Sequence, residues 1–292
     1  MLQTIKRHLR LWVQVLFTAL TNGYLLGFTK GKIYRGPSKQ VCVPGLNCYS
    51  CPGAVGSCPI GSLQAVVGGK DFRFSFYVIG FLMIVGSLMG RFVCGWLCPF
   101  GLVQDLLHKI PVPKLRRVPG DRVLRYLKYV VLAVFVFGMP LVVRGSSGYA
   151  SPWFCKLICP SGTLLGGVPL VAMNPALQEA IGFLFSWKMG LLAALLILSL
   201  VIYRPFCKYL CPLGAIYGLF NRFSLFRYTL DTDKCVDCGK CRQVCHMGVD
   251  VCKTPNSAEC IRCGKCISAC PTGAIHTTFS EIKRPQEEKT SP

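Results

Sequence analysis

Acidic residues are scarce in this chain of 292 residues, which has 12 Asp and Glu against 33 Lys and Arg. Charged residues of both signs make up only 15% of the chain, whereas hydrophobic residues make up 52%. Because soluble domains carry about 25% charged residues, this composition excludes an ordinary soluble domain as a description of the whole chain. We therefore predict a membrane protein.

Histidine is scarce as well, with four residues scattered along the chain. No Ser-His-Asp arrangement, nucleotide-binding glycine loop or metalloprotease motif is recognisable, so the sequence gives no acid–base catalytic constellation. His8 and His108 are candidates for binding haem or a quinone, although a polar residue at the membrane interface is the simpler interpretation of each. We do not expect haem.

The net charge of +21 raises the alternative of nucleic-acid binding. The Lys and Arg residues, however, stand in short clusters beside apolar runs, where anionic lipid headgroups explain them more simply. We therefore expect membrane lipid as a partner, and no nucleic acid.

Four apolar stretches are long enough to cross a hydrocarbon core about 30 Å thick. They are Leu11–Phe28, Phe74–Val93, Tyr126–Val143 and Lys188–Tyr203. The first follows a basic segment but precedes no small-residue cleavage site, so we predict an uncleaved span. Prolines and polar residues interrupt Gly166–Trp187, which favours a re-entrant or interfacial segment there. Four spans put both termini on one side.

The loop between the second and third spans is rich in basic residues, which predicts that it is cytoplasmic. Those residues are Lys109, Lys114, Arg116, Arg117, Arg122, Arg125 and Lys128. Both termini would then be cytoplasmic in a multi-pass protein of the cell membrane. The opposing loop carries Lys30, Lys32, Arg35 and Lys39, so the inverted orientation remains the alternative.

The chain after the last span is polar and rich in cysteine. It holds two copies of C-x2-C-x2-C-x3-C, in which three cysteines bind one 4Fe-4S cluster and the fourth binds the other. We assign Cys235, Cys238, Cys241 and Cys270 to one cluster, and Cys260, Cys263, Cys266 and Cys245 to the second. Zinc is the alternative metal, but it does not require this spacing twice. Cys252 is interpreted as a spare buried thiol.

Two matched motifs, "RFVCGWLCPFG" and "RPFCKYLCPLG", end the second and fourth spans. Each supplies two thiols four residues apart, which we expect on one face of a helical turn. Together Cys94, Cys98, Cys207 and Cys211 would form one four-cysteine site, the inner site. Structural cysteines are the alternative, but packing alone requires no repeated motif. Nearby Arg91, Arg204 and Lys208 would either offset the anionic cluster or reach out to the membrane surface.

A second repeat, "SCPIGSLQ" and "ICPSGTLL", indicates two parallel halves with a further, outer site. Because one cluster needs four thiolates, we favour Cys51, Cys58, Cys155 and Cys159 as its ligands. Cys42 and Cys48 are then candidates for a disulfide, and which of Cys42, Cys48, Cys51 and Cys58 bind iron stays open. Disulfides throughout are the alternative on an oxidising face. The inner and outer sites would lie at opposite edges of a hydrocarbon layer about 30 Å thick, which is far for one electron transfer step. Either both motifs therefore extend toward the middle of the membrane, or a quinone or partner cofactor lies between them.

The predicted fold is thus an α-helical membrane protein with four transmembrane helices in two parallel repeats (1–228), a small α+β double 4Fe-4S ferredoxin domain (229–280) and a flexible tail (281–292). These motifs resemble the membrane polyferredoxin family that includes the quinol-dehydrogenase subunit of periplasmic nitrate reduction and the polyferredoxin of nitrous-oxide respiration. By this resemblance, Cys94, Cys98, Cys207 and Cys211 match the family's paired motif. The eight ferredoxin cysteines match its cluster ligands. The chain departs from it in the Cys155–Cys159 motif and the loop from Cys42 to Cys58.

The resemblance implies electron transfer between quinol, or a cytoplasmic donor, and a redox partner across the membrane, within a larger redox complex. Quinone is therefore a candidate cofactor, and quinol dehydrogenase a candidate activity. The alternative is an assembly or regulatory factor that uses its clusters to sense redox state or to reduce a metal for a partner enzyme.

Overall fold

The computed structural model describes residues 2–69, 75–115, 118–143 and 151–279, and the side chains of residues 2–8 and of Ser75 are outside the description. The predicted tail at 281–292, Phe74 at the start of the second predicted span, Arg116, Arg117 and the side chain of His8 therefore lie outside the described residues.

Four long helices cover the four predicted spans. They are Leu2–Thr21, Ser75–Met89, Asp121–Val142 and Phe183–Val201, and the third contains a π-helical stretch at Leu132–Gly138. Among the described residues, only Asp121–Val142 and Phe183–Val201 are long and apolar enough to cross a membrane. The other two predicted spans correspond to shorter apolar segments, Leu9–Thr21 and Phe76–Met89.

The two longest apolar helices have most of their surface outside the protein core. In their most apolar windows, 22% of Asp121–Val142 and 17% of Phe183–Val201 is buried. Large apolar side chains such as Val142, Phe183 and Ile197 are well exposed. A continuous apolar surface of this kind is typical of a face that contacts lipid or another protein.

Each long helix from Ser75 onward is followed by a short helix and then a second one that begins with proline. The pairs are Phe92–Trp96 with Pro99–Leu107, Trp153–Leu157 with Pro160–Met173, and Pro205–Tyr209 with Pro212–Phe220. The first long helix is followed by a loop and by the helix Pro59–Val67. Smaller elements are the helices Leu26–Lys30 and Pro175–Glu179, the 3-10 turn Pro37–Gln40 and the single turn Asp121–Leu124 that opens the third long helix.

The cysteine-rich carboxy-terminal part is closed by a two-stranded antiparallel sheet. Strand Tyr228–Leu230 precedes the first cysteine motif and strand Ile275–Thr277 follows the second, with Tyr228 opposite Thr277. Between them lie the short helices Lys240–Gln243 and Lys265–Ala269. Gly239 and Gly264 cap these helices with φ of +68° and +81°, a left-handed conformation that glycine adopts without strain. This small α+β unit brings both cysteine motifs together.

Candidate functional site

The Cys-x-x-x-Cys-Pro motifs share one local structure. The first cysteine, such as Cys94 or Cys207, lies within a five-residue helix, and the second, such as Cys98 or Cys211, is the N-cap of the next helix. The second cysteine is extended because a residue that precedes proline avoids the helical region, and the proline then occupies the first helical turn, where it needs no donor. Each pair thus spans a break between two helices, which differs from the predicted single helical turn.

The structure brings the four inner cysteines together, all of them buried. Their thiols lie close enough to interact electrostatically, with Cys207, Cys94 and Cys98 all acting on Cys211. The Gly214 N–H points to Cys211 Sγ at 3.4 Å. The amide of Gln104 donates to Cys207 Sγ at 3.1 Å. The sequence prediction did not include Gln104, although it stands six residues after Cys98, as Gln64 does after Cys58.

Two fully buried arginines brace the inner site across the two halves of the chain. Arg91 donates to the carbonyl of Cys207 at 3.0 Å, and Arg204 donates to the carbonyl of Cys94. Neither guanidinium reaches the surface, so the interpretation that they extend to the membrane interface does not apply to them. Lys208 is also buried and pairs with Asp121 at 2.5 Å.

Arg204 is held by a carboxylate that the sequence prediction missed. Asp105 accepts two hydrogen bonds from Arg204, at 2.7 and 2.5 Å, and a third from Arg10 at 2.5 Å. Burial alone would raise the pKa of Asp105, but Arg204 and Arg10 lower it to about 2. The carboxylate is therefore ionised at neutral pH and compensates the buried Arg204 and the partly buried Arg10.

The first ferredoxin cysteine set lines a cavity of about 330 Å³. Its members are Cys235, Cys238, Cys241 and Cys270, the four that the spacing assigns to one cluster. Cys252, which the sequence prediction left as a spare thiol, lines the same cavity, and its sulfur lies 3.4 Å from Cys241 Sγ.

The second ferredoxin set lines a cavity of about 400 Å³, again with the four cysteines that the spacing groups together. They are Cys245, Cys260, Cys263 and Cys266. His246, Tyr203 and Lys265 complete the lining. His108, one of the two histidines considered for haem or quinone, lies next to it: its ring is 6.0 Å from His246 and 5.3 Å from Tyr203.

The donor chemistry of these sites, four cysteines around each pocket, fits an iron–sulfur cluster. Among the described residues, no group of three His, Cys, Asp or Glu side chains converges tightly enough to hold one metal ion. A four-iron cube holds its thiolates farther apart, and four cysteines around a cavity are the donor set that it takes. Each of the two ferredoxin cavities meets this requirement.

The second ferredoxin motif packs directly on the inner site. A Cβ built on Gly95, the residue after Cys94, would lie 2.2 Å from the Ile261 carbonyl oxygen, so only glycine allows this approach. Trp96 donates from its indole N–H to the Arg262 carbonyl at 2.9 Å. The loop that carries Cys260 therefore lies against the turn that carries Cys94.

A buried charge cluster closes the same interface. Glu259 accepts from Arg91 at 3.0 Å and from Lys128, and both cations are fully buried. Burial alone would raise the pKa of Glu259, but the two cations hold it below its usual value. Arg91 thus touches the inner motif through Cys207 and the ferredoxin loop through Glu259.

The six outer cysteines are placed differently from the sequence prediction. All are free thiols, so the predicted disulfide between Cys42 and Cys48 is not formed. Cys42 Sγ lies 3.7 Å from the Ser62 hydroxyl. Cys48, rather than the predicted Cys51, approaches Cys159, on which Cys155 and Cys58 also act electrostatically.

The outer and inner groups lie near each other, because the loop after Cys42 turns inward. A Cβ on Gly45 would lie 3.3 Å from Cys98 Cα, and Ser161 donates to the Leu46 carbonyl at 3.4 Å. Tyr217, fully buried, donates to the Pro44 carbonyl at 3.1 Å and interacts electrostatically with cysteines of both groups. The Pro44–Leu46 segment therefore contacts elements of both groups.

Comparisons with known proteins agree with these motifs. A family model described as a 4Fe-4S binding domain matches residues 74–117 and 183–230, which hold the two inner motifs. A second model with the same description matches residues 253–276, which hold the second ferredoxin motif. No solved structure matches the chain.

Three curated relatives cover parts of the chain. The putative electron transport protein YccM of Escherichia coli is 28% identical over 59% of this chain and 45% of its own length. The methylamine utilization ferredoxin-type protein MauN of Methylorubrum extorquens is 28% identical, over 62% of this chain and 55% of its own. The regulatory protein NosR of Pseudomonas aeruginosa is 31% identical over 54% of this chain and 20% of its own.

The chain spans about half the length of YccM and MauN and a fifth of NosR. These matches, together with the cysteine motifs, support a 4Fe-4S polyferredoxin family for this chain.

Proposed function

We propose that this protein is an iron–sulfur electron-transfer protein of the cell membrane, which relays electrons between quinol or a cytoplasmic donor and a redox partner. The observation that carries the proposal is the packing of the second ferredoxin loop on the inner motif, where the Ile261 carbonyl meets Gly95. Donor sets for one-electron carriers are thereby placed next to each other.

The relay follows the order of the cysteine sets. The helices that carry Cys241 and Cys266 pack against each other, which joins the first ferredoxin set to the second. The second set then adjoins the inner site through Trp96 and Arg91. Clusters bound at these sets would supply the electron carriers, and the chain's own residues hold them in sequence and exclude water.

Buried cations support this assignment. Arg91 and Arg204 lie behind the inner thiols, and they interact electrostatically with Cys94 and Cys207. A cluster with four thiolates carries net negative charge, so fixed cations stabilise it and influence its reduction potential.

We further propose that four helices span the membrane in two parallel halves, with both termini and the ferredoxin domain in the cytoplasm. Support comes from the exposed apolar surfaces of Asp121–Val142 and Phe183–Val201 and from the basic residues between the second and third long helices. A reporter enzyme fused after Pro292 should report a cytoplasmic location. An extracytoplasmic signal would invert the orientation.

Quinol is the proposed membrane donor. The rings of His108, Tyr203 and His246 lie within 6.0 Å of one another at the edge of the second ferredoxin cavity. Aromatic faces with polar atoms are suited to a quinol head group. Fast oxidation of quinol by the purified protein would support this role. Slow cluster chemistry without quinol activity would favour the assembly or regulatory factor instead.

The test of the whole proposal is anaerobic iron and sulfide analysis of the full chain, with paramagnetic resonance during a redox titration. Two ferredoxin clusters and an inner cluster require at least about twelve irons for each chain. A colourless protein with stoichiometric zinc would refute the proposal.

A further inference from the structure

The amino-terminal half of the chain has an incomplete outer motif. Before residue 228 the chain has four Cys-Pro-x-Gly motifs, and in three of them another cysteine stands four residues earlier, as Cys155 precedes Cys159. Four residues before Cys58 the chain has Ala54, which is buried and supplies no thiol. A four-cysteine outer site therefore needs a ligand from elsewhere in the chain.

Cys48 lies where this missing thiol is needed. A Cβ built on Gly162 would be 3.6 Å from Cys48 Sγ and 3.8 Å from Cys159 Sγ, so both sulfurs flank the same glycine. One turn later, a Cβ on Gly166 would be 3.3 Å from Cys48 Sγ and 3.2 Å from the backbone of Ser50. The two glycines form a small-residue surface on which the Cys48 loop lies.

The thiols of Cys58 and Cys155 lie close to those of Cys48 and Cys159. A Cβ on Gly61 would be 3.9 Å from both Cys155 Sγ and Cys58 Cβ. Cys155 and Cys48 both interact electrostatically with Cys58, and all three interact with Cys159. Cys51 interacts electrostatically with Cys48, and the backbone of Gly53 and Ala54 stabilises its thiolate within its own turn.

The outer group repeats the supporting contacts of the inner site. The amide of Gln64 donates to Cys155 Sγ at 3.3 Å, as Gln104 donates to Cys207 Sγ at 3.1 Å. The N–H of Gly162 points to Cys159 Sγ at 3.4 Å, as that of Gly214 points to Cys211 Sγ. Donors aimed at sulfur stabilise thiolates, which cysteine provides when it binds metal.

Two further hydrogen bonds fix the Gln64 side chain, and in one of them its amide nitrogen donates to the Ile60 carbonyl at 3.2 Å. Its side-chain oxygen accepts from the Phe154 N–H at 2.9 Å, and the residue is fully buried. The amide nitrogen therefore faces Cys155. A structural thiol or a disulfide would not need a buried donor oriented toward its sulfur.

We infer that Cys48, Cys58, Cys155 and Cys159 bind a further 4Fe-4S cluster, adjacent to the inner site. The inference extends the electron relay proposed above and rests on it for the chemistry of the cluster. Because the Pro44–Leu46 segment and Tyr217 alone separate the named outer and inner contacts, the site would lengthen the relay toward the opposite face.

The test compares two cysteines three residues apart in the same loop. In the anaerobically purified full chain, Cys48→Ser should lose about four irons and four sulfides, and Cys51→Ser should lose none. Cys159→Ser should match Cys48→Ser. Unchanged paramagnetic signals of the ferredoxin clusters would show that the variants are folded.

The outcomes separate this inference from the relay proposal. Cys211→Ser should remove the inner cluster and leave the outer irons in place, so failure at one site does not imply failure at the other. Full iron content in both Cys48→Ser and Cys159→Ser would overturn the outer site. Loss of the same irons in Cys51→Ser but not in Cys48→Ser would overturn the choice of Cys48, and zinc in place of iron would overturn the cluster.

Discussion

Arg91 Nη1 lies 3.0 Å from Glu259 Oε2, and this ion pair joins the inner cysteine motif to the second ferredoxin loop. Lys128 pairs with the other oxygen of the same carboxylate. Both cations are fully buried, and the negative charge of Glu259 offsets the free-energy cost of removing them from water. One carboxylate between two cations therefore helps to hold the ferredoxin domain on the segments that carry Arg91 and Lys128.

Glu259→Gln should weaken this docking without changing the size of the side chain. Removing one partner of a buried ion pair costs about 3 kcal/mol, which corresponds to about a hundredfold rise in the undocked population. Protease should then cleave near residue 229 correspondingly faster. Asp250→Asn is the control, because its partner Arg242 is largely exposed and its cleavage rate should stay unchanged. Equal rates in both variants would contradict the role of Glu259.

Gln104→Leu should lower the reduction potential of the inner cluster. Its amide donates to Cys207 Sγ, and a donor to sulfur favours the more negative reduced state. A hydrogen bond of about 1 kcal/mol corresponds to about 40 mV for a one-electron couple. A redox titration monitored by paramagnetic resonance measures the shift, and Gln64→Leu should leave the inner potential unchanged. An unchanged potential with intact iron would rule out this contact.

Asp105→Asn should destabilise the protein in a manner that depends on pH. The folded-state pKa of Asp105, about 2, lies below the ordinary 3.8, so its contribution is complete above about pH 4 and is lost as the pH falls to about 2. The wild type should be about 3 kcal/mol more stable than the variant at neutral pH, with the difference shrinking over that range. Unfolding measured across pH tests this, with exposed Asp233→Asn as the control. A difference that does not change with pH would contradict it.

The sequence predicted the helices and the grouping of the ferredoxin cysteines because both depend on local patterns. Apolar length gave the positions of the four long helices, and the repeated cysteine spacing named the two sets that line separate cavities. The π-helical stretch at Leu132–Gly138 has no such pattern. From the sequence alone, the apolar residues of this stretch predict an ordinary α-helix.

Contacts between distant segments could not be predicted in the same way. Glu259 is 168 residues from Arg91, and no spacing rule connects them. Cys48 and Cys51 are equally plausible by spacing, and only the glycines at 162 and 166 distinguish them. The repeated glutamine six residues after Cys58 and Cys98 was a readable signal, since two copies of C-P-x-G-x-x-Q stand in the chain.

The inner site gives the sharpest test of the matched motifs. If Cys94, Cys98, Cys207 and Cys211 bind one cluster, Cys98→Ser and Cys211→Ser should each remove the same four irons, about four for each chain. The double variant should lose no more than either single one, because residues that act as one unit are not additive. Iron analysis of the three variants, purified without oxygen, measures this.

Both ferredoxin clusters should survive in all three variants, since their ligands lie beyond residue 234. Electron transfer from the ferredoxin domain to the outer site should fail, because the inner site lies between them in the proposed relay. Iron losses that add in the double variant would mean that each pair serves a separate site. Full iron in both single variants would mean that the buried pairs are structural cysteines, and that the charges of Arg91 and Arg204 compensate Glu259 and Asp105 alone.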